Sequence, residues 1–139
     1  LFDAIESKEL KPKQGIFYEG QIFDAYAFVS ELIKSAKKSI ILIDNYVDET
    51  VLTMLSKNQE VQISIYTKTI SKQFKLDLEK YNSQYKTLTL KEFDLSHDRF
   101  LLIDDEIYHI GASLKDLGKK WFGFSKMHKE SFEIIGRIN

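Results

Sequence analysis

The stretch from Phe100 to Ile110 leaves few folds open. Its apolar residues read as a strand (Phe100 to Ile103), a tight acidic turn (Asp104 to Glu106) and a returning strand (Ile107 to Ile110) that stops at Gly111. That pattern predicts a hairpin with polar residues at its mouth. A strand sends alternate side chains to one face, so His97 and Arg99 are expected to point the same way and to meet one anion together. Gly111 and Ser113 then fall where a bare backbone and a hydroxyl can approach that anion.

The rest of the chain alternates strands with helices. Gly15 to Gly20 reads as a short strand bounded by glycines, and Gln21 to Lys37 spaces its apolar residues as an amphipathic helix does, with Lys34, Lys37 and Lys38 at its cationic end. Ser39 to Ile43 is a continuous apolar strand, and Asp48 or Glu49 opens a short helix through Lys57. Val61 to Thr67 is a further strand, Ser71 caps a helix running to about Asn82, and Leu88, Leu90 and Phe93 mark a strand that feeds the hairpin. The predicted class is α/β, a sandwich with a central mixed sheet flanked by helices.

Asp44 and Tyr46 leave a strand at its carboxyl end, where ligands gather in open α/β sheets, although a polar loop with a packing aromatic explains them equally well. From Gly111 to Lys129, five lysines (115, 119, 120, 126 and 129) interleave with Trp121, Phe122 and Phe124. Such a run can track a phosphate backbone and stack bases; it also fits a capping loop with core aromatics, the reading favoured for the rings, whereas phosphate contact is favoured for Lys115. Ser131 to Gly136 is expected to form the last strand.

Composition narrows the chemistry. The 139 residues fit one domain, taken as residues 15–139, with residues 1–14 as a linker or the end of a preceding segment. A formal net charge of −1 means that any anion site must be local. With no cysteine, disulfides, thiolate nucleophiles and thiolate zinc sites are all excluded. No metal or cofactor is expected. The absence of cysteine also suits a reducing cytosol, so a cytoplasmic location is expected, and since no apolar run approaches the length of a membrane span, no membrane partner is.

At these residues the chain resembles the phospholipase D superfamily, whose signature is His, any residue, Lys, four residues, Asp, six residues and Gly-Ser. Here the same spacing holds His97, Arg99 in place of Lys, Asp104 and Gly111, with Ser113 displaced one place by Ala112. The resemblance extends from about Gly15 to Ile138. It implies metal-free phosphodiester cleavage or transfer through a phosphohistidine, with His97 as nucleophile, Arg99 as charge clamp and Ser113, Lys115 and Gly111 as phosphate contacts. The family's acidic partner for histidine follows an Asn-x-Glu pattern in the last strand; Ser131-Phe132-Glu133 resembles it, which makes Glu133 the candidate for orienting His97. Asp104 is expected to brace the hairpin turn. His109, in the middle of the return strand, is expected to pack or lie at the surface.

One motif per chain, as in the family's small bacterial nucleases, implies a homodimer that completes the site. The implied partner is nucleic acid, with DNA favoured. The implied setting is the C-terminal module of a bacterial DNA-associated or defence-type protein, with a DNA-binding module ahead of it. Two departures, Arg99 for Lys and Lys115 where the family has Asn, keep a second reading open: a catalytically degenerate domain that binds nucleic acid or dimerises. A purely structural module is the third.

Overall fold

The computed structural model describes residues 14–127 and 131–138. Of the expected linker, residues 1–14, only Gln14 is described, and it opens the first strand; His128 and Lys129 also lie outside the described residues. In chain order the elements are β1 (Gln14–Phe17), α1 (Ile22–Ser35), β2 (Ser39–Ile43), α2 (Glu49–Leu55), β3 (Gln62–Thr67), α3 (Lys72–Gln84), β4 (Thr89–Glu92), β5 (Arg99–Ile103), β6 (Glu106–Ile110), β7 (Phe122–Met127) and α4 (Ser131–Ile138). A short 3-10 turn, Leu114–Asp116, follows β6.

The strands form one mixed sheet in the order β1-β7-β6-β5-β2-β3-β4. The half built from βα units, β2, β3 and β4, pairs in parallel; β5 against β2 and the β5–β6–β7–β1 side pair antiparallel. The hairpin lies in mid-sheet, with Phe100 opposite His109 and Leu102 opposite Ile107.

Strand alternation divides the core in two. Leu42 and Leu101 face the layer that holds Val29 and Ile33 of α1, Val51 and Leu55 of α2 and Phe74 of α3. Their neighbours Ile43 and Leu102 face the opposite way, toward Ile134, Ile135 and Ile138 of α4. Among the described residues, three helices thus cover one face and one eight-residue helix the other.

Two helices start where the sequence said they would. Asp48 caps α2 by accepting from the Thr50 N–H at 3.0 Å, and Ser71 caps α3 by accepting from Phe74 N–H at 3.0 Å. At the hairpin, Asp104 takes φ 56°, a left-handed conformation in which aspartate is among the enriched residues. Its carboxylate accepts from the backbone N–H groups of Lys37, Lys38 and Ser39 at 3.0, 2.6 and 3.1 Å. Burial works against that charge, but the three N–H donors outweigh it and hold the carboxyl below the ordinary aspartate range. Asp104 therefore ties the turn to the start of β2, the bracing role expected of it.

The C-terminal part corrects the expectation. The last strand is Phe122–Met127, within the stretch read as a capping loop, and Ser131–Ile138 is a helix. Phe122 and Phe124 are buried while the intervening Gly123 is exposed, which is the period of a strand. In α4, Ile134, Ile135 and Ile138 have helical spacing and pack on the sheet, and Glu133 meets Arg137 one turn on at 3.1 Å.

Candidate phosphate site

β5 runs antiparallel to both β2 and β6, so the start of β5 and the ends of β2 and β6 meet at one edge of the sheet. A cavity of about 520 Å³ opens there. Four of the residues expected to meet an anion line it: Arg99, Gly111, Ser113 and Lys115. Tyr46 lines it from the loop after β2, and Asp116, Lys119, Lys120 and Trp121 line it from the segment before β7. Four cations among the lining residues, Arg99, Lys115, Lys119 and Lys120, against one carboxylate, Asp116, give the cavity a local positive charge on a chain of net charge −1.

The floor is built on Asp44. This residue is fully buried just past the end of β2, and its backbone N–H donates to the Tyr66 carbonyl at 3.0 Å. Its Oδ1 lies 2.7 Å from the Ser113 hydroxyl and accepts from the Tyr46 N–H at 3.1 Å, and its Oδ2 accepts from the Leu114 N–H at 2.9 Å. Ser113 Oγ is also 2.7 Å from the Tyr46 carbonyl oxygen. Burial pushes the Asp44 carboxyl upward, against those hydrogen bonds and the charge of Arg99. When Asp44 is protonated on Oδ1, its O–H can donate to Ser113, which turns its own proton to Tyr46. The pair is satisfied in either state.

Gly111 is held by a hydrogen bond from its N–H to the Gly123 carbonyl at 2.8 Å. A Cβ there would stand 2.9 Å from that same oxygen, so the close approach of β6 and β7 requires glycine. Lys115 is half-buried and paired with Asp116 at 2.7 Å, which raises its pKa. Asp116 also meets Lys119 at 3.1 Å, and the two lysines draw its carboxyl below the ordinary range despite partial burial.

Three expected residues stand elsewhere. His97 is exposed on a bend before β5, outside the cavity lining, because the strand begins only at Arg99. That bend is fixed by the Asn45 side chain, which donates to the Ser96 carbonyl at 2.9 Å, and by Ser96 Oγ donating to the Asp98 carbonyl at 2.9 Å. Glu133 lies exposed on α4 with its carboxylate on Arg137, so the strand placement that was to aim it at His97 does not hold. Asp104 sits at the far end of β5, against β2. His109 is partly exposed, 3.3 Å from Asp98 and edge-on to Phe100, a packing and surface residue as expected.

Sequence reasoning placed Asp44 and Tyr46 at a strand end but did not foresee the bond to Ser113. It also missed Trp121 as a cavity residue, because the aromatic run was assigned to core packing. Phe122 and Phe124 do pack in the core; Trp121 is 64% exposed.

No family model and no curated protein sequence matches the chain. Solved structures do. NucT from Helicobacter pylori superposes with a TM-score of 0.62 at 12% identity, over 91% of each chain. The phosphatidylserine synthase of Haemophilus influenzae Rd KW20 superposes with a TM-score of 0.61 at 13% identity, over 100% of this chain and 41% of its own. Both are phospholipase D superfamily proteins. The chain has the phospholipase D-like fold. The archaeal chromatin protein TrmBL2, whose structure shows a novel mode of DNA binding, also matches, with a TM-score of 0.61 at 14% identity. This chain covers 56% of TrmBL2 and 99% of itself. Among the described residues no helix is long and apolar enough to cross a membrane.

Proposed function

We propose that this phospholipase D-like domain engages nucleic-acid phosphodiesters and cleaves them without a metal, through a phosphohistidine on His97. The observation that carries the reading is the convergence of Arg99, Lys115, Gly111 and Ser113 on one cavity at a strand-end edge of the phospholipase D-like sheet. Arginine offers a planar, permanently charged fork to phosphate oxygens, and Lys115 adds an ammonium beside it.

In this mechanism His97 attacks phosphorus, the bond to the leaving oxygen breaks as a P–N bond forms, and a protonated histidine donates its proton to the leaving oxygen. Water then cleaves the P–N bond and restores His97. One chain supplies one motif histidine, so the acid is the same residue of a second copy and the active form is a homodimer. DNA is the favoured substrate, and the likeness to TrmBL2 supports association with DNA.

Hydrolysis of bis-para-nitrophenyl phosphate in excess EDTA tests the reading. Wild-type turnover that disappears in His97→Ala is the expected result. A second reading is favoured by the exposed position of His97 outside the cavity lining: a domain that binds the polyanion through Arg99 and Lys115 and does not turn it over. An inert but folded protein whose polyanion binding weakens in Arg99→Ala and not in His97→Ala would establish that second reading and end the first.

A further inference from the structure

Trp121 is the sole tryptophan of the chain, and it lines the cation-walled cavity while remaining 64% exposed. A large exposed ring usually reflects a side chain with no fixed place, but this one is held from several sides. Its indole N–H donates to the Glu19 carboxylate at 2.8 Å, and the Tyr18 ring meets it at 4.7 Å with an interplanar angle of 88°. Tyr18 is itself 44% exposed.

The turn that carries Tyr18 and Glu19 is tied in turn to the segment before Trp121. The Gly20 N–H donates to the Gly118 carbonyl at 3.1 Å. Gly118 has φ 79°, and a Cβ on it would come within 2.5 Å of the Ile22 Cα, so the two turns are in close backbone contact. An aromatic platform is thus preorganised in the cavity that Arg99 and Lys115 also line, and among the described residues none covers it.

Phosphate alone has no use for a fixed aromatic surface. A polynucleotide presents a planar base next to each phosphate, and a base stacks on an indole by dispersion and desolvation irrespective of its identity. In a duplex those base faces are already covered by their neighbours, whereas an unpaired strand leaves them open. We infer that Trp121, braced by Glu19 and Tyr18, is a base-stacking subsite that makes the cavity select single-stranded over duplex nucleic acid. The inference rests on the proposed phosphodiester reading of the same cavity.

The test compares an oligothymidylate of about 12 nucleotides with an abasic strand of the same length and with the matching duplex. Binding is read from the anisotropy of a labelled strand and from the fluorescence of the single tryptophan. The base-bearing strand is expected to quench Trp121 and to bind about tenfold more tightly than the abasic strand or the duplex. Trp121→Ala should lower its affinity to that of the abasic strand and leave abasic binding unchanged, and Trp121→Phe should recover part of the gain. Equal affinity for the base-bearing and abasic strands, with both weakened by Arg99→Ala, would overturn the stacking subsite and keep the phosphate site. A base preference that survives Trp121→Ala would remove the role from this residue. Absence of binding by all three would end the phosphodiester reading and this inference together.

Discussion

The hydroxyl of Ser113 lies 2.7 Å from the carboxylate of Asp44, a contact between residues 69 positions apart that joins the end of β2 to the turn after β6. Asp44 is fully buried and Ser113 nearly so. The expected phosphate contact Ser113 thus also builds the floor under the cavity.

Replacing Asp44 by Asn would set an amide N–H₂ against one of its present donors, Ser113, Tyr46 or Leu114. The expected destabilisation is about 1–3 kcal/mol, the cost of an unsatisfied buried donor, measured by urea unfolding at neutral pH. Because burial raises the folded-state pKa of Asp44, its contribution is fully present below the ordinary aspartate range and is lost as pH rises through the raised value. The gap between wild type and Asp44→Asn should therefore widen on acidification.

Asp104 behaves in the opposite sense. Its folded-state pKa is lowered, so the stability it provides is present above the ordinary aspartate range and disappears as pH falls through the depressed value. Asp104→Asn retains a residue tolerant of φ 56° and should cost about 1–2 kcal/mol at neutral pH. That difference should close in acid, as thermal unfolding across a pH series will show.

Arg99 is half-buried at the cavity with its charge acting on Asp44. Arg99→Ala should weaken oligonucleotide binding by about tenfold and reduce its salt slope by about one counterion, whereas Arg99→Lys should preserve the slope. An unchanged salt dependence in Arg99→Ala would remove this side chain from the phosphate site.

Asp116 neutralises part of the cation wall by pairing with Lys115 and Lys119. Asp116→Asn frees both ammonium groups, and polyanion affinity at low salt should rise several-fold, with the gain vanishing at high salt. Filter binding at two ionic strengths will check it.

Gly111→Ala should lower the melting temperature, since the added methyl meets the Gly123 carbonyl, a backbone atom that cannot swing aside. The same substitution at Gly136, inside α4 and with nothing within 4 Å of the added Cβ, should instead raise it slightly, because alanine is the better helix former.

The sheet and its helices were largely legible because their signals are local. β2 falls on the apolar run Ser39 to Ile43, and Asp48 and Ser71 mark helix starts by their own side-chain hydrogen bonds. The C-terminal part was not. Phe122 and Phe124 alternate as strand residues do, but the glycine between them and the lysines on either side hid the period, and Ile134-Ile135 fits a strand or a helix until a sheet face is there to receive it. For the site, the spacing from Arg99 to Lys115 pointed to four residues, Arg99, Gly111, Ser113 and Lys115, that line one cavity. The position of Trp121 depends on long-range contacts with Tyr18 and Glu19, and no local pattern encodes those.

The pairing of β1 with β7 sets Gln14 opposite Ser125. The residues it joins are 111 positions apart, so this edge of the sheet is held by one of the longest-range pairings in the fold. The parallel part of the sheet, β2 with β3 and β3 with β4, is by contrast made from neighbours in sequence. Because Tyr18 and Glu19 follow directly on β1, the pairing that completes this edge also brings up the two side chains that hold Trp121. Were that edge to open, the hairpin that carries Arg99 would keep its pairing with β2 while the cavity lost the contacts that hold its aromatic wall.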